Sequence, residues 1–368
     1  MILIDNKIPF IKGALDDVAE LRYLNGSDFR KEDVKDAEAL IIRTRTICNA
    51  DLLRNSRLKF IATATIGFDH IDTDYCGQNG ITWTNAPGCN SSSVEQYIVS
   101  ALLELAYRKN FRPGDMTLGV IGVGNVGSKV TRAARILGMK VILNDPPRER
   151  VEGSKGFSSL DKIKQEADII IFHVPLIKNG MDKTYKMAGN NFFKTLAKPV
   201  YLINTSRGDV VDETALLAAL NQRIIKACIL DVWENEPDIN PELVAKTEFA
   251  TPHIAGYSTD GKANGTSMSV QAVSRFFGLG KDSWIPENIP LPTNALISVD
   301  CNKLNEFEIL RKVYSETYSI LEDDSILRKD LSKFELNRGS YRLRREPKAF
   351  SVHLIDNKNE NLVNKLDP

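Results

Sequence analysis

Three charged side chains stand out for what their types could do together. Arg207 lies in Ile203-Asn-Thr-Ser-Arg-Gly208, Glu236 closes Asp231-Val-Trp-Glu-Asn-Glu236, and His253 lies in Thr251-Pro-His-Ile-Ala-Gly256. Each follows a short apolar run of strand character, so all three belong at strand ends of one sheet. A guanidinium can grip a substrate carboxylate through two parallel hydrogen bonds. An imidazole can remove a hydroxyl proton as hydride leaves, and a carboxylate beside it orients the ring and favours its protonated form. Oxidation of a 2-hydroxy acid needs that set. Taken singly, the three could be a surface cation, a solvated loop acid and a structural histidine. Taken together, in order, they favour the catalytic reading. The chain has only four histidines; His70 and His353 read as structural, and His173 stands at a strand end as a weaker candidate.

Hydride needs an acceptor, and the sequence points to one. Residues 118–123 read as a buried strand running into Gly122-x-Gly124-x-x-Gly127, with a helix pattern starting at once. Gly122 lets the strand turn, Gly124 lets backbone approach a pyrophosphate, and Gly127 lets the helix pack close to the sheet. The helix N-terminus offers unpaired N–H groups to phosphates. A second strand, 141–143, ends at Asp145, 23 residues beyond Gly122, placed to accept from the adenosine ribose hydroxyls. A carboxylate there repels a 2′-phosphate and favours NAD over NADP, with Arg148 nearby softening the preference. The other reading is a glycine-rich turn in an unrelated α/β protein, which the strand, helix and acid in register make the poorer one.

These residues imply their scaffold. Apolar runs at 2–4, 39–42, 60–64 and 81–83 alternate with helical or turn-rich stretches, predicting a small parallel sheet over the first ninety residues. Its strand ends (Arg43-Thr44-Arg45, Thr65-Ile66-Gly67, Asn85-Ala-Pro-Gly88) are polar, cationic or glycine-bearing, as a small-anion site requires. Residues 90–108 form a helix pattern suited to crossing between domains. Further buried strands at 167–175, 199–204, 227–232 and 249–252 complete the sheet that begins at 118, with helices between them including 212–221. A helix at 262–277 returns the chain to the first sheet. The fold class expected is therefore α/β: two Rossmann-like doubly wound parallel-sheet domains plus a small α+β C-terminal domain. The boundaries expected are 1–92 with 257–285 for a discontinuous substrate domain, 93–256 for the NAD domain and 286–368 for the tail. Three prolines within 284–292 mark a linker, and the charged tail carries a helix pattern at 305–321 and a strand at 350–354.

Composition narrows the partners. Lys plus Arg equals Asp plus Glu at 48 each, so no global field draws nucleic acid or an anionic membrane. Five scattered cysteines without a C-x-x-C pair argue for reduced thiols and against a metal site. With no signal-like or membrane-length apolar run, the expectation is a cytoplasmic protein.

The Ser206-Arg207-Gly208, Glu236-Pro237 and Pro252-His253-Ile-Ala-Gly256 motifs resemble those of the D-isomer-specific 2-hydroxyacid dehydrogenases. The resemblance implies catalytic roles for Arg207, Glu236 and His253. It also implies that Asn125, Val126, Val174, Thr205, Ser206, Asp231 and Gly256 join the glycines and Asp145 as cofactor contacts. A branch of that family is more closely similar, through Ala62-Thr-Ala-Thr65, Gly67-x-Asp-His70, Asn85-Ala-Pro-Gly-Cys-Asn90, Asp145-Pro-Pro147, Tyr257 after Gly256, and a charged tail with Arg344-Arg345-Glu346. It implies oxidation of 4-phospho-D-erythronate to 2-oxo-3-hydroxy-4-phosphobutanoate in pyridoxal phosphate biosynthesis, by a homodimer joined through the tail. Substrate contacts by this resemblance are Arg43, Thr44, Thr65, Gly67 and Tyr257. Ile66 and Phe68 are bulkier than the pattern, and Thr44 stands for a serine.

Alternation along an extended strand would put Arg43 and Arg45 on one face, the obvious cations for a phosphate, unless they pair with nearby carboxylates. Arg344 or Arg345 of a partner's tail could complete that site. Two other readings stay open. One is a dehydrogenase of another acid such as 3-phosphoglycerate, and the other is an NAD(H)-sensing binding protein on the same scaffold.

Overall fold

The computed structural model describes residues 1–357 together with 362 and 365. The chain divides into two compact units, residues 1–90 with 257–291 and residues 91–256 with 292–368.

In the first unit, β1 (Ile2–Asp5), β2 (Leu21–Leu24), β3 (Ala39–Ile42), β4 (Phe60–Thr63) and β5 (Thr82–Thr84) form one parallel sheet in the order β2-β1-β3-β4-β5. β1, β3 and β4 are buried throughout, which is why they read as unbroken apolar runs. β2 was not expected from the sequence. It is an edge strand, Leu-Arg-Tyr-Leu, half-buried with its arginine outward, and so lacks that signature. Strand order reverses between β1 and β3, so their carboxyl ends, Asp5 and Arg43, flank the switch point where such sheets take ligands. The helix Thr259–Phe277 returns to cover this sheet, its Val270 and Val273 packed with Ile4, Ile41 and Ala62.

In the second unit, β6 (Thr117–Ile121), β7 (Lys140–Asn144), β8 (Ile169–Phe172), β9 (Val200–Asn204), β10 (Ile225–Leu230) and β11 (Phe249–Ala250) form a six-stranded parallel sheet, order β11-β10-β9-β8-β6-β7. The switch point lies at β6, the strand that feeds the glycine loop. Helix Ser91–Lys109 packs on helix Asn125–Ile136, and most of its side chains are buried.

The C-terminal segment pairs β12 (Leu296–Asp300) with β13 (Ser351–Ile355) in parallel. β12 alternates exposed and buried, and only its two inward side chains, Ile297 and Val299, advertise it. The helix expected over 305–321 is two, Glu306–Thr317 and Ile320–Lys329, the first started by an Asn305–Glu308 capping box. Leu327 and Phe334 are fully buried in the core beneath the six-stranded sheet. Burying one phenylalanine stabilises by about 2–3 kcal/mol, so this segment is held firmly to the second unit.

Candidate active site

The glycine loop follows β6. Gly122 takes φ 88°, and a Cβ there would meet the His173 carbonyl oxygen at 2.5 Å. A Cβ at Gly127 would meet the Gly122 oxygen at 2.1 Å, so these two glycines let loop, helix and β8 close up. Gly124 differs: it is exposed, and nothing lies within 4 Å of where its Cβ would be. No side chain caps the helix that begins at Asn125, so the N–H groups of Asn125 and Val126 keep donors for an outside anion. Asp145 accepts from Val123 N at 2.8 Å and Arg148 N at 3.1 Å, which pins its carboxylate against the loop. Arg148 is tied to Glu152 by two bonds of 2.7 and 2.6 Å and bonds the Val123 carbonyl. Its charge is therefore largely met by Glu152, and a 2′-phosphate would face two carboxylates.

Across the switch point, Val174 packs against the core of the second unit, and two buried polar atoms, His173 Nε2 and Thr205 Oγ1, have no partner. Leaving buried donors or acceptors unmet costs about 1–3 kcal/mol each, which a bound polar ligand can recover. Burial pushes the His173 imidazole down to about 3, so it stays neutral at ordinary pH. The open face of Gly124, the uncapped helix and these orphaned atoms fit a dinucleotide.

The acid–base candidates follow β9, β10 and β11. Asn204 ends β9 and accepts from Ser206 N and Oγ while donating to the Arg207 carbonyl, which folds 204–207 into a tight turn. Arg207 Nη1 bonds the Ser206 carbonyl at 2.8 Å. A Cβ on Gly208 would sit 2.0 Å from the Trp233 carbonyl, so only glycine lets this turn touch the loop leading to Glu236. His253 Nδ1 lies 2.8 Å from Glu236 Oε2, and Trp233 N donates to Glu236 Oε1 at 3.0 Å. Burial alone would raise the Glu236 carboxyl. The bond from His253, its charge, the Trp233 N–H and Arg338 outweigh that and hold it below the usual range. With Nδ1 engaged, Nε2 of His253 is the ring atom left for a substrate hydroxyl.

His253 has φ 57°, a left-handed conformation that costs a non-glycine residue about 1–2 kcal/mol. Asp231, expected among the cofactor contacts, is the main device that holds it there. The side chain is 1 % exposed and accepts from Thr251 Oγ1 (2.6 Å), Ile254 N (2.8 Å) and Ala255 N (2.9 Å). Tyr97 OH and Trp233 Nε1 brace Thr251 from behind. Arg344 closes the far side of the loop. Its buried guanidinium donates to the carbonyls of Ser93, Ile254 and Ala255 and to Gln96 Oε1, and lies 3.8 Å above the Tyr318 ring. The suggestion that Arg344 reaches a partner's site therefore fails: its donors are spent inside its own chain. Gly256 ends this loop.

The substrate candidates lie in the first unit. Arg43 Nε meets Asp5 Oδ2 at 3.3 Å at the switch point. The strand stops at Ile42, however, and Thr46 N bonds the Arg43 carbonyl, so residues 43–46 turn. The expected common face for Arg43 and Arg45 is not formed. Arg45 instead lines a separate cavity of about 340 Å³ with Arg30 and Lys31, while Thr44 is exposed on the turn. Thr65 Oγ1 bonds Thr63 Oγ1 and the Gly67 carbonyl, and Asn85 Nδ2 holds the Ile66 carbonyl at 2.7 Å. The Phe68 ring lies 4.9 Å from Trp83 of β5. His70 is buried on Thr63 Oγ1, and burial brings it down to about 4.

Lys262, missed in the sequence, has its ammonium 5.1 Å from the Tyr257 ring. Burial and then the charge of Arg43 both disfavour its protonated form. Two cations, one of them already paired with Asp5, are thus near each other. Its only sequence signal was a cation in the first turns of a helix that follows Tyr257.

Residues 104–255 match the model of the D-isomer specific 2-hydroxyacid dehydrogenase NAD-binding domain, and residues 290–366 match a domain of unknown function. The erythronate-4-phosphate dehydrogenase of Bacteroides thetaiotaomicron is 53% identical over 95% of this chain and 98% of its own length. This chain belongs to that family. The family's Porphyromonas gingivalis member is 39% identical over 95% of each chain. Among solved structures, the D-lactate dehydrogenase of Aquifex aeolicus, complexed with NAD and lactic acid, superposes with TM-score 0.63 at 29% identity, covering 76% of this chain and 96% of that one. As a member of the erythronate-4-phosphate dehydrogenase family the chain is an oxidoreductase with an NAD-binding domain, built on the two-sheet fold the sequence predicted. No helix among the described residues is long and apolar enough to cross a membrane.

Proposed function

We propose that the chain oxidises 4-phospho-D-erythronate at C2 to 2-oxo-3-hydroxy-4-phosphobutanoate, with NAD as oxidant, in the pyridoxal phosphate pathway of the cytoplasm. The 2.8 Å His253–Glu236 pair carries the reading, because a 2-hydroxy acid cannot lose hydride without a base for its hydroxyl proton. Bound NAD would accept the hydride; Gly124, Asn125, Val126 and Asp145 would hold its adenosine and phosphates. Nε2 of His253 takes the hydroxyl proton, and Glu236, ionised below the ordinary carboxyl range, stabilises the imidazolium that forms. Arg207 pairs with the substrate carboxylate and polarises the forming 2-oxo group. Arg43 and Lys262 supply charge for the 4-phosphate, with Thr44, Thr65, Gly67 and Tyr257 around them. Those two cations favour a phosphorylated acid over lactate or glycerate.

A homodimer joined through the C-terminal segment is part of the proposal. Five large apolar side chains are exposed between 292 and 355, among them Leu296, Leu336 and Leu343, and a second copy could cover them.

The reaction is tested by NADH absorbance with 4-phosphoerythronate, 3-phosphoglycerate, glycerate and lactate, a 2-oxo acid being added to permit turnover. Signal with 4-phosphoerythronate that His253→Ala reduces at least about a thousand-fold is the expected result. Turnover only with 3-phosphoglycerate would move the substrate, and NAD binding without turnover on any acid would leave a sensing protein.

A further inference from the structure

Glu236 has a second basic neighbour, and it comes from the C-terminal segment. Arg338 Nη1 is 4.0 Å from Glu236 Oε2, the same oxygen that meets His253 Nδ1. Arg338 stands on the short helix Phe334–Gly339. Phe334 anchors that helix with no exposed surface, and four residues on, Arg338 falls on the same face, its guanidinium 5.8 Å from the phenylalanine ring. Glu335 Oε1 holds Nη1 from the other side at 3.0 Å. The Arg338 and Glu236 side chains are only 21 and 19 % exposed, so water screens their charges weakly.

We propose that Arg338 is a positioning residue of the acid–base pair: it fixes the Glu236 carboxylate and tempers that carboxylate's pull on the His253 imidazole. The inference rests on His253 as the base. Glu236 serves catalysis by stabilising the imidazolium, while oxidation also needs the ring free to take a proton. A guanidinium on the far side of the carboxylate offsets part of that charge and keeps the acid ionised. Among the described residues, Asp231, behind the His253 loop, and Glu335, beside Arg338, also face these three. Asp231 is fixed by three hydrogen bonds and Glu335 by Arg338 itself, so Arg338 is the member whose removal changes the balance. The C-terminal segment thereby takes part in the chemistry through the second unit.

Arg338→Gln and Arg338→Lys separate charge from packing. The His253 ring protons are titrated by NMR in the ligand-free protein, identified by their loss in His253→Gln, and the pH profile of kcat/KM for oxidation is measured in parallel. Arg338→Gln should raise the His253 titration midpoint by about half a unit or more. The acidic limb of kcat/KM should move the same way, with a several-fold loss at neutral pH. Arg338→Lys, which keeps the charge, should stay near the parent in both. If Arg338→Gln is insoluble, Arg338→Met, which keeps the stem over Phe334, takes its place. An unmoved midpoint on neutralisation, or an equal shift in the lysine variant, overturns the proposal. Because the titration needs no substrate, a shift in a protein inactive on 4-phosphoerythronate would uphold Arg338 and remove only the substrate assignment.

Discussion

At the scale of single residues, chemistry was legible where type and spacing coincide and hidden where only folding brings groups together. Gly122, Gly124 and Gly127 could be given separate duties from their order, because each duty depends on an absent Cβ. Glu236 and His253 could be paired because each ends a recognisable strand. Lys262 could not be found this way: 219 positions separate it from Arg43, and nothing local marks either as the other's neighbour. Asp231 shows the converse: only the family resemblance singled it out, as a cofactor contact, and folding engages its carboxylate with Thr251, Ile254 and Ala255. If Arg43 and Lys262 form the phosphate subsite, Lys262→Met should raise KM for 4-phosphoerythronate about tenfold or more and change kcat far less. The same variant, freed of a disfavoured charge, should melt no lower than the parent. A KM left unchanged in steady-state kinetics would assign the phosphate elsewhere.

At the scale of elements, buried parallel strands were plain in the sequence and one-sided ones were not. β3, β8 and β9 are apolar on both faces and were found within three residues at each end, whereas β2, which is only half-buried, and β12, which exposes alternate side chains, were missed. The extended reading of 43–45 failed because strand character ends with burial at Ile42. The helix Glu213–Asn221 carries an effect no pattern shows. Glu213 is 7 % exposed, and its Oε1 accepts from Glu234 N at 2.8 Å. Burial pushes its carboxyl up to about 7. A carboxyl raised by folding stabilises the native state fully below its unfolded value and loses that contribution as pH climbs through about 7. Glu213→Gln, which keeps an acceptor for Glu234 N, should therefore melt higher than the parent at pH 8, with the gap closing toward pH 5. Differential scanning calorimetry at the two pH values checks the sign, and a gap that widens on acidification would refute it.

At the scale of the whole molecule, the two sheets were legible in the sequence, and a discontinuous first unit was expected because a two-domain closure geometry needs the chain to return after His253. The association of residues 292 onward with the second unit was not legible. It depends on contacts such as Asp324 with Ala250 N and Arg328 with the Val244 and Thr247 carbonyls, each more than seventy residues apart. If the exposed apolar side chains of this segment join two copies, light scattering should give twice the 41.1 kDa chain mass. Leu336→Lys with Leu343→Lys should shift that mass toward the monomer, and a parent already monomeric would end the dimer proposal. The Arg344 clamp has a consequence for biosynthesis. A ribosome that has passed Lys262 has already made every group proposed to bind or react, yet the loop carrying His253 still lacks the guanidinium that bonds its Ile254 and Ala255 carbonyls. Chains that end before Arg344 then keep the nucleotide-binding loop but lack the clamp that holds the His253 loop.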